Sequence, residues 1–317
     1  MAPSPTVPII GGGPAGMSCA LWLRNYGLRP VIVEQAAALG GMARRNPYPN
    51  PWLLGWPGAS ARDNAAAFAR HIAAAGVEAW LEAAPQRLAR TDDNDFALDV
   101  SVSGTSRALS CRALVIATGT EFRGDEWLDR VPNARALAAR GRVHVGPAAV
   151  GEPDAALGTH VAIVGGGDNA FDVADILLGR GIRVTIVMRA RSPGAQPRLI
   201  EQVRGRAEVR ASADVVALDD AGGKVGVRLS DGESFQADSV ALLLGYRPNT
   251  GASWLTGLNL ERNAAGYLRV DGNMETSCRG VFAVGDVANP AHPCVATALA
   301  SGTMAAREIE KRLARGA

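Results

Sequence analysis

The chain has 317 residues, is 47% hydrophobic and 20% charged, and so has the size and composition of a two-domain globular enzyme. Its net charge of +2, without any basic block, argues against nucleic acid or an anionic membrane as partner. No apolar run approaches the roughly 20 residues of a spanning helix, and no side-chain cluster has the spacing of a metal site. Because residues 1–8 contain no basic region, we expect no signal peptide and a cytoplasmic location.

The first predicted strand, Thr6–Ile10, runs into a glycine-rich turn that opens a helical pattern. Each small residue of this turn has its own purpose in a site that binds a dinucleotide. Gly11 allows a sharp turn, Gly13 allows the backbone to approach a pyrophosphate, and Gly16 lets the helix lie close to the strand. The N-terminus of the helix then offers free N–H groups and a positive dipole end to phosphate. Pro14 and Ala15 complete the predicted phosphate site.

The second predicted strand, Val31–Val33, ends in an acidic residue, Glu34. A carboxylate at this position can accept hydrogen bonds from ribose hydroxyls and would repel a 2′-phosphate. The first site is therefore predicted to bind FAD or NAD. The chain continues with a helix over residues 61–75, an antiparallel layer over 87–110 and a buried strand over 113–117.

A second glycine-rich turn follows the predicted strand His160–Val164. It runs from Gly165 through Gly167, Asp168 and Asn169 to Ala170, and its glycines have the same physical purposes as those of the first turn. The next strand, 184–187, ends without an acid and is followed by Arg189 and Arg191. Guanidinium groups suit a 2′-phosphate, so the second site is predicted to bind NADPH.

The remaining pattern repeats that of the first part. Short alternating strands over 208–237 predict a second antiparallel layer, and a buried strand follows over 239–244. The last helix is predicted over 295–313, with Glu308 and Arg312 paired on its exposed face. The sequence thus predicts an α/β chain of two Rossmann-like, doubly wound, three-layer domains, one inserted in the other. The expected FAD-binding domain takes residues 1–120 and 245–317, and the NAD(P)H-binding domain takes 121–244.

With these motifs in place, the chain resembles the low-molecular-weight thioredoxin reductases and the related ferredoxin/flavodoxin–NADP reductases over nearly its whole length. The resemblance rests on both glycine turns, Glu34, Gly40-Gly41, Trp56-Pro57-Gly58, Ala117-Thr118-Gly119, Gly245 to Thr250, Gly285-Asp286, Thr297 and Gly302. It implies that Asp286 binds the ribityl hydroxyls of FAD and that the last helix points its N-terminus at the flavin. The further FAD contacts that it implies are Gln35, Gly41, Met42, Ala117, Thr118, Gly119, Gly285, Cys294, Val295 and Ala296. It also implies a homodimer and a rotation of the two domains about hinges near 118–122 and 244–248.

The chain departs from this family at an informative place. Thioredoxin reductases carry a Cys-x-x-Cys pair shortly before the second glycine turn, and by spacing that place holds Gly146-Pro147-Ala148-Ala149. Without a thiol there is no exchange with a protein disulfide. Two further departures, Met188 for the usual His and Ala190 for the second Arg, weaken the signature for NADPH and leave NADH open.

Three functions agree with these observations. The first is an FAD-dependent NAD(P)H oxidoreductase that passes electrons to a protein carrier or a small oxidant. The second is a flavin-dependent thiol or dithiol oxidase that uses Cys294 at the helix end. Separately, the resemblance places His292 near the flavin as a candidate proton donor. The third is a flavin-binding redox sensor without turnover. The sequence does not identify the electron acceptor.

Overall fold

The computed structural model describes residues 4–93, 95–152 and 155–315. The chain divides into two compact units: one takes the residues up to Glu121 and those from Arg247 onward, and the other takes Phe122–Tyr246. The strands β8 (Thr120–Phe122) and β17 (Tyr246–Pro248), which contain these boundaries, pair with each other. Among the residues that the structure describes, no helix is long and apolar enough to cross a membrane.

The first unit is built on a five-stranded sheet in the order β18-β7-β1-β2-β3, and all of its strands run parallel. A three-stranded antiparallel sheet, β4-β5-β6, accompanies it. The elements of this unit are β1 (Thr6–Ile10), α1 (Pro14–Asn25), β2 (Arg29–Val33), α2 (Ala61–Ala74), β3 (Glu78–Trp80), β4 (Ala83–Arg90), β5 (Phe96–Val102), β6 (Thr105–Cys111), β7 (Leu114–Ile116), β18 (Val281–Ala283) and α8 (Val295–Arg315). Short 3₁₀ helices lie at Gly41–Arg45, Ser253–Leu258 and Gly285–Val287.

The two faces of this parallel sheet bury different partners. Val7 and Ile9 of β1 pack with Leu23 of α1 and Ile309 of α8 in one core cluster. Strand residues that point to the other face, such as Ile116, pack against the antiparallel sheet. Because each strand is covered on both sides, it is a continuous apolar run rather than an alternating one. The unit therefore has the three predicted layers: helices, parallel sheet and antiparallel sheet.

The second unit repeats this plan. Its parallel sheet has the order β12-β11-β10-β16-β9, and its antiparallel sheet has the order β13-β14-β15. The elements of this unit are α3 (Asp125–Arg130), α4 (Ala134–Ala139), β9 (Val143–Val145), α5 (Pro147–Gly151), β10 (His160–Val164), α6 (Asp168–Gly179), β11 (Arg183–Val187), α7 (Pro197–Val203), β12 (Glu208–Arg210), β13 (Val215–Asp220), β14 (Val225–Leu229), β15 (Ser234–Ala237) and β16 (Ser239–Leu242). The predicted doubly wound α/β class is confirmed.

Two details of the sequence prediction are wrong. The expected antiparallel layer over 208–237 loses its first segment, because β12 pairs in parallel with β11 at the edge of the main sheet. The expected pair between Glu308 and Arg312 does not form. Arg312 instead makes a two-pronged ion pair with Glu275, which is 37 positions away in sequence, and Glu308 pairs with Lys311. A bidentate carboxylate offers Arg312 better geometry than a neighbour on the same helix.

Candidate functional site

The first glycine turn connects β1 to α1, and the fold itself requires two of its glycines. Gly11 has a φ of +113°, and a Cβ there would lie 2.3 Å from the carbonyl oxygen of Ala117. A Cβ at Gly16 would lie 2.1 Å from the carbonyl oxygen of Gly11. No side chain fits at either position without moving the backbone. The close approach of helix to strand that the sequence predicted for Gly16 is confirmed.

Gly13 differs, because neither its backbone nor its protein neighbours require a glycine. It has an ordinary extended conformation, with φ −74° and ψ 179°, and the nearest atom to a Cβ built on it is the Cα of Gly41, at 3.9 Å. No side chain caps the N-terminus of α1, and Pro14 occupies its first turn. The turn thus presents open space in front of uncapped N–H groups, which suits an anion.

Glu34 is buried beside this turn, with 8% of its surface exposed. Its Oε2 accepts a hydrogen bond from the N–H of Gly12 at 2.7 Å, and its Oε1 accepts one from the N–H of Ala36 at 2.8 Å. Each carboxylate oxygen keeps a further lone pair for a ligand hydroxyl. Sequence reasoning assigned Glu34 to the ligand alone and missed that it also holds the turn in place.

The second turn, between β10 and α6, repeats this geometry. Gly165 has a φ of +148°, and a Cβ there would lie 2.3 Å from the carbonyl oxygen of Leu243. In both turns the carbonyl of the middle glycine accepts a hydrogen bond from a loop that follows the second strand. The N–H of Gly40 donates to Gly12 at 2.8 Å, and the N–H of Gly194 donates to Gly166 at 2.9 Å. A Cβ at Gly167 would meet no atom within 4 Å. The second turn is therefore also open at its third glycine.

The two turns differ in the residue that follows the second strand. Where Glu34 contacts Gly12, the buried side chain of Met188 packs against Gly166, with its Sδ 3.0 Å from the position of a Cβ. Arg189 and Arg191 are both exposed, and neither forms an ion pair with a described residue. The second turn therefore has no acid at the position of Glu34, and it has two available guanidinium groups nearby.

Asp168, the first residue of α6, holds the loop that carries these arginines. Its Oδ1 accepts a hydrogen bond from the backbone N–H of Gln196 at 2.7 Å, and its Oδ2 accepts one from the side-chain amide of Gln196 at 2.9 Å. The loop over residues 189–196 is thus tied to the N-terminus of α6. Ala170, the last small residue of the turn, is fully buried.

Several of the residues predicted from the resemblance converge on the first turn. A Cβ at Gly41 would lie 3.0 Å from the Cα of Gly13, and a Cβ at Gly285 would lie 2.7 Å from the Cβ of Ala15. Ala117 is buried beside Gly11. The predicted residues Thr118 and Gly119 join the segment after β17: Thr118 Oγ1 donates to the carbonyl of Asn249 at 2.9 Å, and the N–H of Asn249 donates to Gly119. Met42 is half-buried, whereas Gln35 is exposed.

Asp286 follows β18 in the 3₁₀ helix Gly285–Val287 and is half-buried. No described residue donates a hydrogen bond to its carboxylate, and burial raises the pKa of Asp286 from its ordinary 3.8 to about 6. Burying an ionised carboxylate without hydrogen-bond donors costs free energy in the ligand-free protein. Donors from a ligand, such as hydroxyl groups, would relieve this cost.

Cys294 immediately precedes the first residue of α8 and acts as its cap. The N–H of Thr297 donates to Sγ of Cys294 at 3.5 Å, and the N–H of Cys294 donates to Oγ1 of Thr297 at 3.3 Å. This reciprocal pair is a capping box with sulfur in place of a hydroxyl oxygen. The thiol therefore has a structural role that sequence reasoning missed. Val295 is half-buried, and His292 and Ala296 are exposed.

Two of the other cysteines are buried in the first unit. Cys19 and Cys111 are 0% and 5% exposed, and burial raises the pKa of both thiols. Both thiols therefore act as small buried apolar groups. All four cysteines of the chain are free thiols in the structure.

Gly146 immediately precedes the short helix α5, and there is no room for a side chain at this position. Gly146 has a φ of +82°, and a Cβ there would lie 2.4 Å from a ring carbon of Phe122. The Phe122 ring in turn packs on that of Tyr246, with their centroids 5.2 Å apart. A cysteine at this position would need both a different backbone and a displaced aromatic ring.

A family model described as pyridine nucleotide-disulphide oxidoreductase matches residues 5–306, so the chain belongs to that family of oxidoreductases. Among curated proteins it is 29% identical to a glucosaminate ammonia-lyase of Pseudomonas fluorescens, covering 96% of this chain and 94% of that protein. It is 28% identical to a ferredoxin–NADP reductase of Ignicoccus hospitalis, covering 94% of each. The solved thioredoxin reductase of T. acidophilum superposes with a TM-score of 0.83 over 97% of this chain and 98% of that one, at 22% identity, which supports the fold.

Proposed function

We propose that this chain is an FAD-dependent NAD(P)H oxidoreductase that works without an active-site disulfide. Electrons enter from NADPH, pass through the flavin, and leave to a protein carrier such as ferredoxin or flavodoxin, or to a small oxidant. The observation that carries this proposal is the pair Gly13 and Gly167. Each leaves an opening at an uncapped helix N-terminus, and neither its φ nor its protein neighbours account for the missing side chain. Two such openings fit two dinucleotides.

The first unit is proposed to hold FAD. Glu34 would accept hydrogen bonds from the adenosine ribose, the N–H groups at the start of α1 would bind the pyrophosphate, and Asp286 would accept from the ribityl chain. No described residue donates a hydrogen bond to Asp286, which supports this role. The positive end of α8, which Cys294 caps, would favour negative charge on the flavin. When bound, a flavin accepts a hydride from a reduced nicotinamide and delivers electrons to an acceptor.

The second unit is proposed to hold NADPH. Met188 replaces the acid that would repel a 2′-phosphate. Arg189 and Arg191, which form no ion pair with the described part of the chain, can bind one. NADH stays open as an alternative donor, because the arginine set is smaller than in the family that the chain resembles. The homodimer and the cytoplasmic location expected from the sequence stay predictions.

Direct transfer from flavin to acceptor is supported by the surroundings of Gly146. The positive φ and the adjacent Phe122 ring leave no space for a thiol where the resembling family holds its redox pair. The cap role of Cys294 gives a thiol oxidase no specific support.

Anaerobic stopped-flow mixing of the FAD-loaded protein with NADPH or NADH tests the proposal. We expect loss of the visible flavin absorbance, faster with NADPH. Gly167→Val, which fills the second opening, should abolish it. Gly179→Val is the matched control, because Gly179 ends the same helix and also has no atom within 4 Å of a built Cβ. If neither nucleotide bleaches the wild-type flavin, the proposal is wrong.

A further inference from the structure

The parallel sheet of the second unit has one place where the direction of chain winding reverses. From β10 the chain proceeds through α6 to β11 and then β12 on one side, whereas β16 and β9 lie on the other side. The crevice beyond the carboxyl ends of β10 and β16 is therefore the topological switch point, where open α/β sheets bind their ligands. The hydrogen bond from the N–H of Leu243 to Val164 at 2.9 Å holds the two strand ends together.

A side-chain hydrogen bond spans this crevice. Asn169, in the first turn of α6, donates from Nδ2 to the hydroxyl oxygen of Tyr246 at 3.0 Å. Tyr246 lies four residues beyond the end of β16, and its ring packs on Phe122 at a 39° tilt. Asn169 and Tyr246 are both half-buried. The amide of Asn169 and the phenol of Tyr246 thus lie at the second glycine turn, beside an aromatic wall formed by the rings of Tyr246 and Phe122.

The amide of Asn169 has capacity left for a ligand. Only the contact to Tyr246 involves its side chain, so its other polar atom has no partner among the described residues. This holds whichever way the amide is turned, because one end faces the phenol and the other end stays open. The turn does not need this bond for its own shape, which is set by Gly165 and by its contact with Leu243.

The layout also fixes which part of a dinucleotide reaches this pair. The pyrophosphate would lie at the N-terminus of α6, and the adenosine half would extend toward the end of β11, where Arg189 and Arg191 follow. The other half must then extend in the opposite direction, over the carboxyl end of β16. Tyr246 follows that end of β16 by four residues, and its ring packs on that of Phe122.

We infer that Asn169 and Tyr246 form the subsite for the nicotinamide ring of the nucleotide. The side-chain amide of Asn169 would bind the carboxamide group of the ring, and the hydroxyl of Tyr246 would orient that amide beside the aromatic wall. This inference rests on the proposed function and deepens it, since it assigns the nicotinamide half of the second site to two residues of this chain. It makes Tyr246, the last residue of the second unit, part of the nucleotide site.

The test compares two ligands that differ only in the nicotinamide. NADP⁺ and 2′-phospho-ADP-ribose are titrated calorimetrically into FAD-loaded wild-type protein, Tyr246→Phe and Asn169→Ala. We expect each variant to bind NADP⁺ about five- to tenfold more weakly, as the loss of one net hydrogen bond predicts, and to bind 2′-phospho-ADP-ribose as the wild type does. Tyr267→Phe removes a hydroxyl from a half-buried tyrosine of the first unit and should change neither affinity.

Each other outcome overturns the inference in a distinguishable way. If the variants bind both ligands more weakly by the same factor, Asn169 and Tyr246 only shape the turn that holds the phosphates. Unchanged affinities in both variants would mean that the pair does not contact the nucleotide. If the wild type binds neither ligand, the second turn is not a nucleotide site, and the proposed function fails together with this inference.

Discussion

At the scale of single residues, Asp286 shows a conflict between stability and ligand binding. Its carboxylate is half-buried and receives no hydrogen bond from a described residue, and burial raises its pKa to about 6. The folded protein therefore holds this proton more tightly than the unfolded chain does. Stability falls as the pH rises from the unfolded pKa near 4 to the folded pKa near 6, and the loss is complete above that.

We predict that Asp286→Asn stabilises the FAD-free protein at pH 7.5, by at most about 3 kcal/mol, which corresponds to a shift of about two pKa units. The gain should shrink as the pH falls through the folded pKa and vanish below the unfolded pKa near 4, where both states become protonated. The same variant should bind FAD more weakly, because an amide accepts fewer hydrogen bonds than a carboxylate. Urea unfolding at several pH values and FAD titration measure the two effects. A variant that is less stable at pH 7.5 would contradict the assignment of burial as the dominant cause.

Cys294 gives a second prediction at this scale, because a serine can replace its sulfur as the helix cap. Cys294→Ser should leave the melting temperature and the rate of flavin reduction unchanged. Cys294→Ala should lose about 1 kcal/mol of stability, the usual cost of removing an N-cap, again without loss of flavin reduction. Loss of turnover with the acceptor in the serine variant, at unchanged stability, would instead favour the thiol oxidase.

At the scale of elements, the glycines of the first unit separate into those that packing requires and those that only a ligand explains. Gly302 of α8 belongs to the first kind, since a Cβ there would lie 2.4 Å from the carbonyl oxygen of Ala15 in α1. Gly13 belongs to the second kind, since the nearest described atom outside its chain neighbours lies 3.9 Å from a Cβ built there. The contact between α1 and α8 and the opening at the turn can therefore be disturbed separately.

We predict opposite results for alanine at these two positions. Gly302→Ala should destabilise the protein by about 1–3 kcal/mol, because the two helices must separate. Gly13→Ala should leave the melting temperature of the FAD-free protein nearly unchanged and weaken FAD binding at least about tenfold, since its Cβ would occupy the pyrophosphate site. Thermal melting and FAD titration of both variants check this. Equal destabilisation by both would show that Gly13 also is a packing residue.

The elements that could be predicted from the sequence are those with strong local patterns. β1 and β10 were predicted with their observed bounds, because each is a continuous apolar run that ends at a glycine turn. β12 was assigned to the wrong sheet, because a three-residue exposed strand has no periodicity that distinguishes parallel from antiparallel pairing. The partners of Arg312 and Asn169 could not be read from sequence either, since each lies far away along the chain and only the fold brings it near.

At the scale of the whole molecule, the second unit is continuous in sequence and its two ends are tied within the unit. The N–H of Arg123 donates to the carbonyl of Gly245 at 3.0 Å, and Nε of Arg123 donates to the carbonyl of Tyr246 at 2.9 Å. The first unit, by contrast, is assembled from two separate segments of chain. The second unit therefore has the properties of an independently folding domain.

We predict that a fragment of residues 122–246 folds cooperatively on its own and binds 2′-phospho-ADP-ribose. Circular dichroism during urea unfolding should show a single transition, because the fragment keeps its own core and its paired ends. Arg123→Ala in the fragment should lower the midpoint, and Arg204→Ala, which removes an exposed ion pair on α7, should not. A fragment without a cooperative transition would mean that the inserted unit depends on the rest of the chain.

The backbone at Gly146 has a consequence for how this chain can change over evolutionary time. A cysteine there would have to adopt a left-handed conformation and collide with the ring of Phe122, so no single substitution can install a thiol at this position without strain. A dithiol over residues 146–149 would need two new cysteines, and the one at position 146 would collide with the ring of Phe122. Installing a thiol there therefore calls for a compensating change in the turn or at Phe122, so the two changes depend on each other.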